Sequence, residues 1–394
     1  MRSYHHYYRH QAYQAIHSDF WRLELSIWLQ TLAWSLMAIF VPVLMLNYGY
    51  SLGAVIAYEI VFYGIDVPLN FLAREMILRW GAREVTIVGI ICAMIFALCF
   101  HYLSLGGYAI LFGLAVLHAF FDAFYWVGHF YLFIESSGKP EMAGRNTGIL
   151  NGVRILGGML GPAIGAGILI MGGQEILLGV GACIFAFSLV PLFALQHVRN
   201  KPARRVPFKE FMWEWREKRS YISFGLYCIH AAAEDPMWPI FIFITFGTLN
   251  SVALLAVVVS VSTIALSYAT GVLTQRSAVT LISVGGLCTA GVWILRLLIP
   301  NPLVYYASVL VIGFFAILVH VPIESGIVEH GRAKDALWAA TMRNTSSMLA
   351  PFFLFLILAP LVLVFKISFA AAALSLIVLV FLMRLVGTAT IKTV

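Results

Sequence analysis

Twelve stretches of the chain are apolar for long enough to cross a bilayer, whose hydrocarbon core of about 30 Å takes about 20 residues of helix. They lie at about 20–47, 52–78, 83–104, 106–134, 146–172, 175–196, 220–247, 249–274, 277–299, 301–330, 336–362 and 364–390. The breaks after the odd-numbered spans are only a few residues long, and the other breaks hold the charge. The longest internal polar segment, NKPARRVPFKEFMWEWREKRS at 200–220, divides the pattern into six plus six. The pattern predicts an all-α polytopic membrane protein. A tail (1–19) precedes a six-helix bundle (20–197); a linker (198–219) and a second six-helix bundle (220–391) follow. Within the linker, PFKEFMWEWREKR mixes aromatic and charged residues behind a proline, which predicts a short amphipathic helix at the membrane surface.

Composition agrees with the spans. Apolar residues make up 61% of the chain and charged residues 11%, against about 25% charged in soluble domains. Placing the N-terminus inside puts all of the 25 Lys and Arg except Arg296 and Lys366 at cytoplasmic ends or loops, the arrangement that the positive-inside rule favours. Both termini are therefore expected in the cytoplasm, with the chain spanning the cell (inner) membrane. The net charge of +7 reads as a basic rim beside anionic lipid, with no nucleic-acid partner. His5, His6 and His10 read as part of a frayed tail, and no cleavable signal peptide is expected before the first span. The five cysteines all fall in apolar spans without a CxxC pair, so they read as packing residues.

A repeat organises the chain. RILGGMLGP at 154–162 returns as RNTSSMLAP at 343–351, and IES at 134–136 returns at the same offset at 323–325. Two matches at one offset, each around the fourth and fifth spans of its half, indicate two pseudo-symmetric parallel bundles. Gly157, Gly158, Gly161, Pro162, Gly165 and Gly167 form a run of small residues on which a neighbouring helix can pack closely, with a proline that bends the span. That makes Gly157, Gly161, Pro162 and Gly165 candidates for a hinge or a packing seal.

The same run resembles the fifth-helix motif GxxxGPxxGG of the major facilitator superfamily, with Ala166 interrupting the final glycine pair. LRWGAREV at 78–85 resembles that superfamily's second-to-third helix loop, GxxxDRxGRR, through Arg79, Gly81 and Arg83, and GVLTQRSA at 271–278 is a partial second copy with Gln275 in the acid's place. The resemblance implies twelve transmembrane helices as two six-helix bundles, a monomer, alternating access, and a central cavity lined by the first, fourth, seventh and tenth helices. The glycine–proline motif is similar to that of exporters.

Ionisable groups at membrane depth are costly and mark pathways. Glu59 and Asp66 in the second span, Asp122 in the fourth, and Glu234 and Asp235 in the seventh lie away from the cytoplasmic ends. His118, Asp122, Tyr125 and His129 share one helical face, and His230 precedes Glu234 by four residues. Pro236 and Pro239 interrupt the seventh span, and irregular backbone at depth is tolerated mainly beside a cavity. The resemblance brings the two His-x3-acid spacings onto cavity helices, where each pair is expected to load and release a proton. His118, Asp122, His230, Glu234, Asp235 and Asp66 are the candidates for proton coupling or substrate binding, with Trp34, Trp126 and Trp238 as cavity aromatics. A third such spacing joins His320 to Glu324. Glu135 and Glu324 are repeat equivalents, as are Arg154 and Arg343, and with Arg79 and Arg83 they are candidate gating charges.

These residues predict a secondary active transporter for a small neutral or cationic organic solute, proton-coupled and exporting, with solute, proton and lipid bilayer as its partners. The alternative is a divalent transition-metal transporter using His and carboxylate ligands, although no dedicated metal site is assigned. No nucleophile–base arrangement, phosphate loop or dinucleotide fingerprint occurs, so neither enzymatic activity nor a cofactor is expected.

Overall fold

The computed structural model describes residues 19–136, 143–195, 207–212, 215–260 and 277–387, and every regular element among them is helical. The first crossing, Trp21–Asn47, is built from α1 (Asp19–Met37) and α2 (Val41–Asn47). Pro42 restarts the helix after the break, because its ring presets φ for a first helical turn that needs no N–H there. α3 (Leu52–Trp80) is capped by Ser51, whose Oγ accepts the Ala54 N–H at 3.2 Å. It ends at Gly81, whose φ of 108° suits only glycine. α4 (Ala82–Cys99) and α5 (Tyr108–Ser136) follow. α6 (Ala143–Phe193) holds two crossings, with non-helical backbone at Gly173 between them.

In the second half a single turn, α7 (Phe208–Phe211), precedes α8 (Trp215–Ala232). A π-helical turn (Ala233–Met237) joins α8 to α9 (Trp238–Phe246). α10 (Leu249–Ser260), α11 (Ala278–Leu298), α12 (Pro302–Ala333), α13 (Ala336–Leu358) and α14 (Val364–Gly387) complete the chain. Among the described residues, eight helical runs are long and apolar enough to span a membrane alone. One of them covers both crossings of α6, while α8–α9, α10 and α13 are shorter or more polar and fill the remaining places in the twelve-helix pattern. In the linker, α7 is a single turn, and Phe211 is buried against His330 and Trp338 at ring-centroid distances of 4.5 and 6.2 Å. Its apolar side chain is thus docked on the second half.

The crossings alternate direction, so one face of the bundle collects the chain ends and the connection between the halves. We call this the terminal face, and the opposite one the far face. In the first half α1 lies along α6, while α3 and α4 pack on α5. In the second, α11 packs on α12 and α14, and α8 on α13 and α14. The halves meet mainly where α13 lies against α3 and α5.

The glycine run serves the first of these contacts. A Cβ at Gly161 would meet Ser35 and the Leu36 backbone, and one at Gly165 would overlap the Leu36 carbonyl. The run therefore seats α1 on α6 inside one half, which is the close backbone approach that small residues permit. Gly158 and Pro162 turn to the interior cavity instead. One residue further on, the Ala163 N–H reaches Ser260 Oγ of α10, in the other half, at 3.1 Å.

Candidate functional site

Between the halves, displaced toward the far face, lies a cavity of about 600 Å³. Every element that lines it contributes the part nearest that face or the membrane midplane. The first half supplies Trp34, Tyr58, Glu59, Tyr63, His118 and Asp122, and the second supplies Tyr227, His230, Glu234, Asp235 and Trp238. No Lys or Arg is among the described lining residues.

The two His-x3-acid spacings converge on this cavity, but neither becomes a pair. His118 Nδ1 is hydrogen-bonded to the Tyr58 hydroxyl at 3.0 Å, and its ring stacks on Phe62 at 3.8 Å with Trp34 at 4.8 Å. His230 Nδ1 accepts the Trp293 indole N–H at 2.9 Å, which places the proton of a neutral ring on Nε2. The i, i+4 spacing brought each histidine and acid to one helix face, and the packing of neighbouring helices then gave them different partners.

Glu234 turns away from His230 to Arg296 of α11. The guanidinium grips both carboxylate oxygens at 2.5 and 3.1 Å, and its Nε donates to Ser308 Oγ at 2.7 Å. Trp238 and Trp293 flank the same guanidinium, with Cζ 3.6 and 4.6 Å from their ring centroids. A bidentate ion pair, a third hydrogen bond and two aromatic faces are what a buried arginine needs. Arg296 was expected at the outer end of its span; it is buried and is the second half's internal counter-ion. Its only sequence signal is its isolation as the lone base in GVWILRLLIP. Asp235, the next residue along the π turn, is exposed in the cavity and has no ion pair among the described residues.

On the terminal side the cavity is floored by polar residues from both halves. Asn344 of α13 donates to Asn70 Oδ1 at 2.7 Å and to Asp122 Oδ2 at 3.1 Å. Asn70 Nδ2 in turn donates to Asp66 Oδ1 at 2.7 Å. Asp66 and Asp122 are thus linked through the two asparagine side chains. Asn70 and Asn344 escape a reading that looks only for charge. Asn344 does follow Arg343 in the repeat, at the position where the first copy has Ile155.

Beneath this floor Arg343 bonds Glu324 at 2.8 Å, joining two of the candidate gating charges. Its Cζ lies 5.3 Å from the Trp126 ring, 5.1 Å from Phe130 and 4.9 Å from Phe224. Trp126 therefore belongs to this layer, whereas Trp34 and Trp238 line the cavity. His320 Nδ1 is 4.0 Å from Glu324. The other charges do not join the layer. Arg83 bonds Glu84 at 2.7 Å and the Leu195 carbonyl at 2.9 Å, Arg79 and Glu135 are exposed, and the side chain of Arg154 lies outside the described residues. Among the described residues no three His, Cys, Asp or Glu side chains converge as metal ligands.

Comparison with known proteins agrees with this architecture. No curated protein matches the sequence. The human organic anion transporter MFSD10 (TETRAN) superposes with a TM-score of 0.64 at 13% identity, covering 92% of this chain and 98% of its own. The Major Facilitator Superfamily transporter FucP in the outward conformation gives 0.66 at 10% identity, covering 93% and 98%, and a variant of the E. coli fucose:proton symporter FucP gives 0.65 at 10% with the same coverage. At these identities the likeness is one of fold. A family model described as Major Facilitator Superfamily matches residues 23–351, most of the length over which the two bundles and the cavity are built, and the chain belongs to that superfamily.

Proposed function

We infer that the chain is a secondary active transporter that carries a small neutral or cationic organic solute by alternating access, coupled to protons and working as an exporter. Its terminal face is the cytoplasmic face of the cell membrane, and it works as a monomer. One observation carries the substrate class: among the described residues the cavity is lined by four acids, Glu59, Asp122, Glu234 and Asp235, with aromatic rings and no Lys or Arg. An anion in that cavity would meet repulsion from these acids, and the nearby guanidinium of Arg296 is already bonded to Glu234. The metal alternative has no support from the described residues.

Proton coupling rests on Asp66 and Asp122. Two buried carboxyls joined through Asn70 and Asn344, the latter from the other half, link proton occupancy to contact between the halves. Proteoliposomes containing the purified protein and a lumenal pH dye test this reading. Addition of transported amines or neutral solutes is expected to move protons in the wild type and not in Asp122→Asn. Solute flux that ignores both an imposed proton gradient and that substitution rejects the coupling, and flux of anions alone rejects the substrate class.

A further inference from the structure

Glu59 differs from Asp122 and Glu234 in lacking a partner among the described residues. It is about nine-tenths buried, lines the cavity and has no hydrogen bond or ion pair among the described residues. A carboxyl withdrawn from water without a partner is destabilising, and proteins normally pair or hydrogen-bond such a group. Across the cavity, Asp235 is likewise without an ion pair among the described residues. Tyr63 and Tyr227 line the same cavity as the two carboxyls. Two unpaired carboxyls, one from each half, therefore share an aromatic-walled space.

Glu234 differs from both. Arg296 holds its two oxygens, and the same guanidinium covers a face of Trp238. A third negative charge and one aromatic surface are thus already committed inside the protein.

We propose that the cavity binds its cargo as an organic cation, a protonated or quaternary amine clamped between Glu59 of the first half and Asp235 of the second, with Arg296 as a permanent counter-ion that withdraws Glu234 from this role. Tyr63 and Tyr227 supply π faces to the cation and its apolar body. The clamp would bridge the halves on the far side of the polar floor, so cargo binding and closure of the cavity act on the same two bundles. This rests on the transporter reading above and narrows it from neutral or cationic solutes to cations.

Isothermal titration calorimetry on the purified full chain tests the proposal with matched compounds that differ in charge. Phenethylamine is compared with phenethyl alcohol and with hydrocinnamate. Choline is compared with its carbon analogue, in which a tert-butyl group replaces the trimethylammonium. The cations are expected to bind about tenfold or more tighter than their neutral partners, as loss of a charge-assisted contact predicts, and the anion is expected not to bind. Glu59→Gln and Asp235→Asn should each remove that preference and leave the weak affinity for the neutral compounds. The comparison of compounds on the wild-type protein holds even if a variant fails to fold. Equal binding of cations and neutral isosteres, binding of neither cation, or binding of zinc or manganese ions in their place would overturn the cation site. Counterflow in proteoliposomes is scored separately. Counterflow of a neutral solute without cation preference sinks the clamp and keeps the transporter, while absence of counterflow for every compound that binds sinks the transporter reading itself.

Discussion

Arg296 and Arg343 have nearly the same chemistry in two regions of the molecule. Both are buried, both are ion-paired to a glutamate and both are flanked by aromatic rings. All the partners of Arg296 named here, Glu234, Ser308, Trp238 and Trp293, belong to the second half. Arg343 takes Glu324 and Phe224 from its own half but Trp126 and Phe130 from the other, and its neighbour Asn344 bonds Asn70 and Asp122 across the same boundary. A relative rotation of the two bundles leaves the first arrangement intact and must break the second. The chemistry of a buried ion pair thus does not say what the pair is for; the boundary it does or does not cross says so.

The comparison can be broken most directly at Arg296. Glu234→Gln leaves that guanidinium buried without its carboxylate, a change that costs about 3–5 kcal/mol. It should give the largest loss of thermal stability in detergent of any substitution discussed here, and pairing it with Arg296→Met should restore much of that loss. If the single change is silent, the pair is not structural.

Asn344→Leu comes next and tests the other region. It removes two hydrogen bonds between the halves, one of them to a carboxyl, worth about 1.5–3 kcal/mol for a bond to a charged group. Most of that change should appear as an altered conformational equilibrium, read as a longer distance between spin labels at Arg79→Cys and Glu329→Cys on the terminal face, with the native cysteines replaced. An unchanged distance distribution together with a lowered melting temperature would make Asn344 a packing residue like Arg296.

Gly165→Ala sharpens the contrast between packing inside a half and contact between halves. The added carbon overlaps the Leu36 carbonyl, so α1 must move off α6 at a cost of about 1–3 kcal/mol. The expected signature is reduced stability with an unaltered label distance. The smallest effect is expected at Glu135, the repeat equivalent of Glu324. It is exposed, so Glu135→Gln should change stability by no more than about 0.5 kcal/mol, whereas Glu324→Gln should behave as a broken buried pair. Similar melting curves for the two would show that the repeat equivalence extends to function.

Much of the fold was legible because membrane solvation imposes it. Backbone polar groups in hydrocarbon must be satisfied within each segment, so each long apolar run had to become a helix, and the offset that relates IES at 134–136 to IES at 323–325 exposed the duplication. The candidate site was legible in part. His118, Asp122, His230, Glu234, Asp235, Trp34 and Trp238 do reach one cavity, because acids and proline breaks at depth are too costly to occur idly. Their partners were not legible. Helical spacing reports which residues share a face, not which neighbouring helix that face meets, so His118 turned out to bond Tyr58 and His230 to bond Trp293.

By itself, then, the sequence determined the solvent, the helical class, the division into two halves and the depth of the acids, since each follows from local hydrophobicity and spacing along one strand of chain. Only the tertiary structure decided which charges are compensated. Arg296 cancels Glu234 from 62 residues away, Asn344 reaches Asn70 and Asp122 from 274 and 222 residues away, and Glu59 and Asp235 are left facing the cavity without an ion pair among the described residues. Compensation depends on the approach of side chains over a few ångströms, and in a helical bundle that distance is set by how whole helices pack, which no local pattern records.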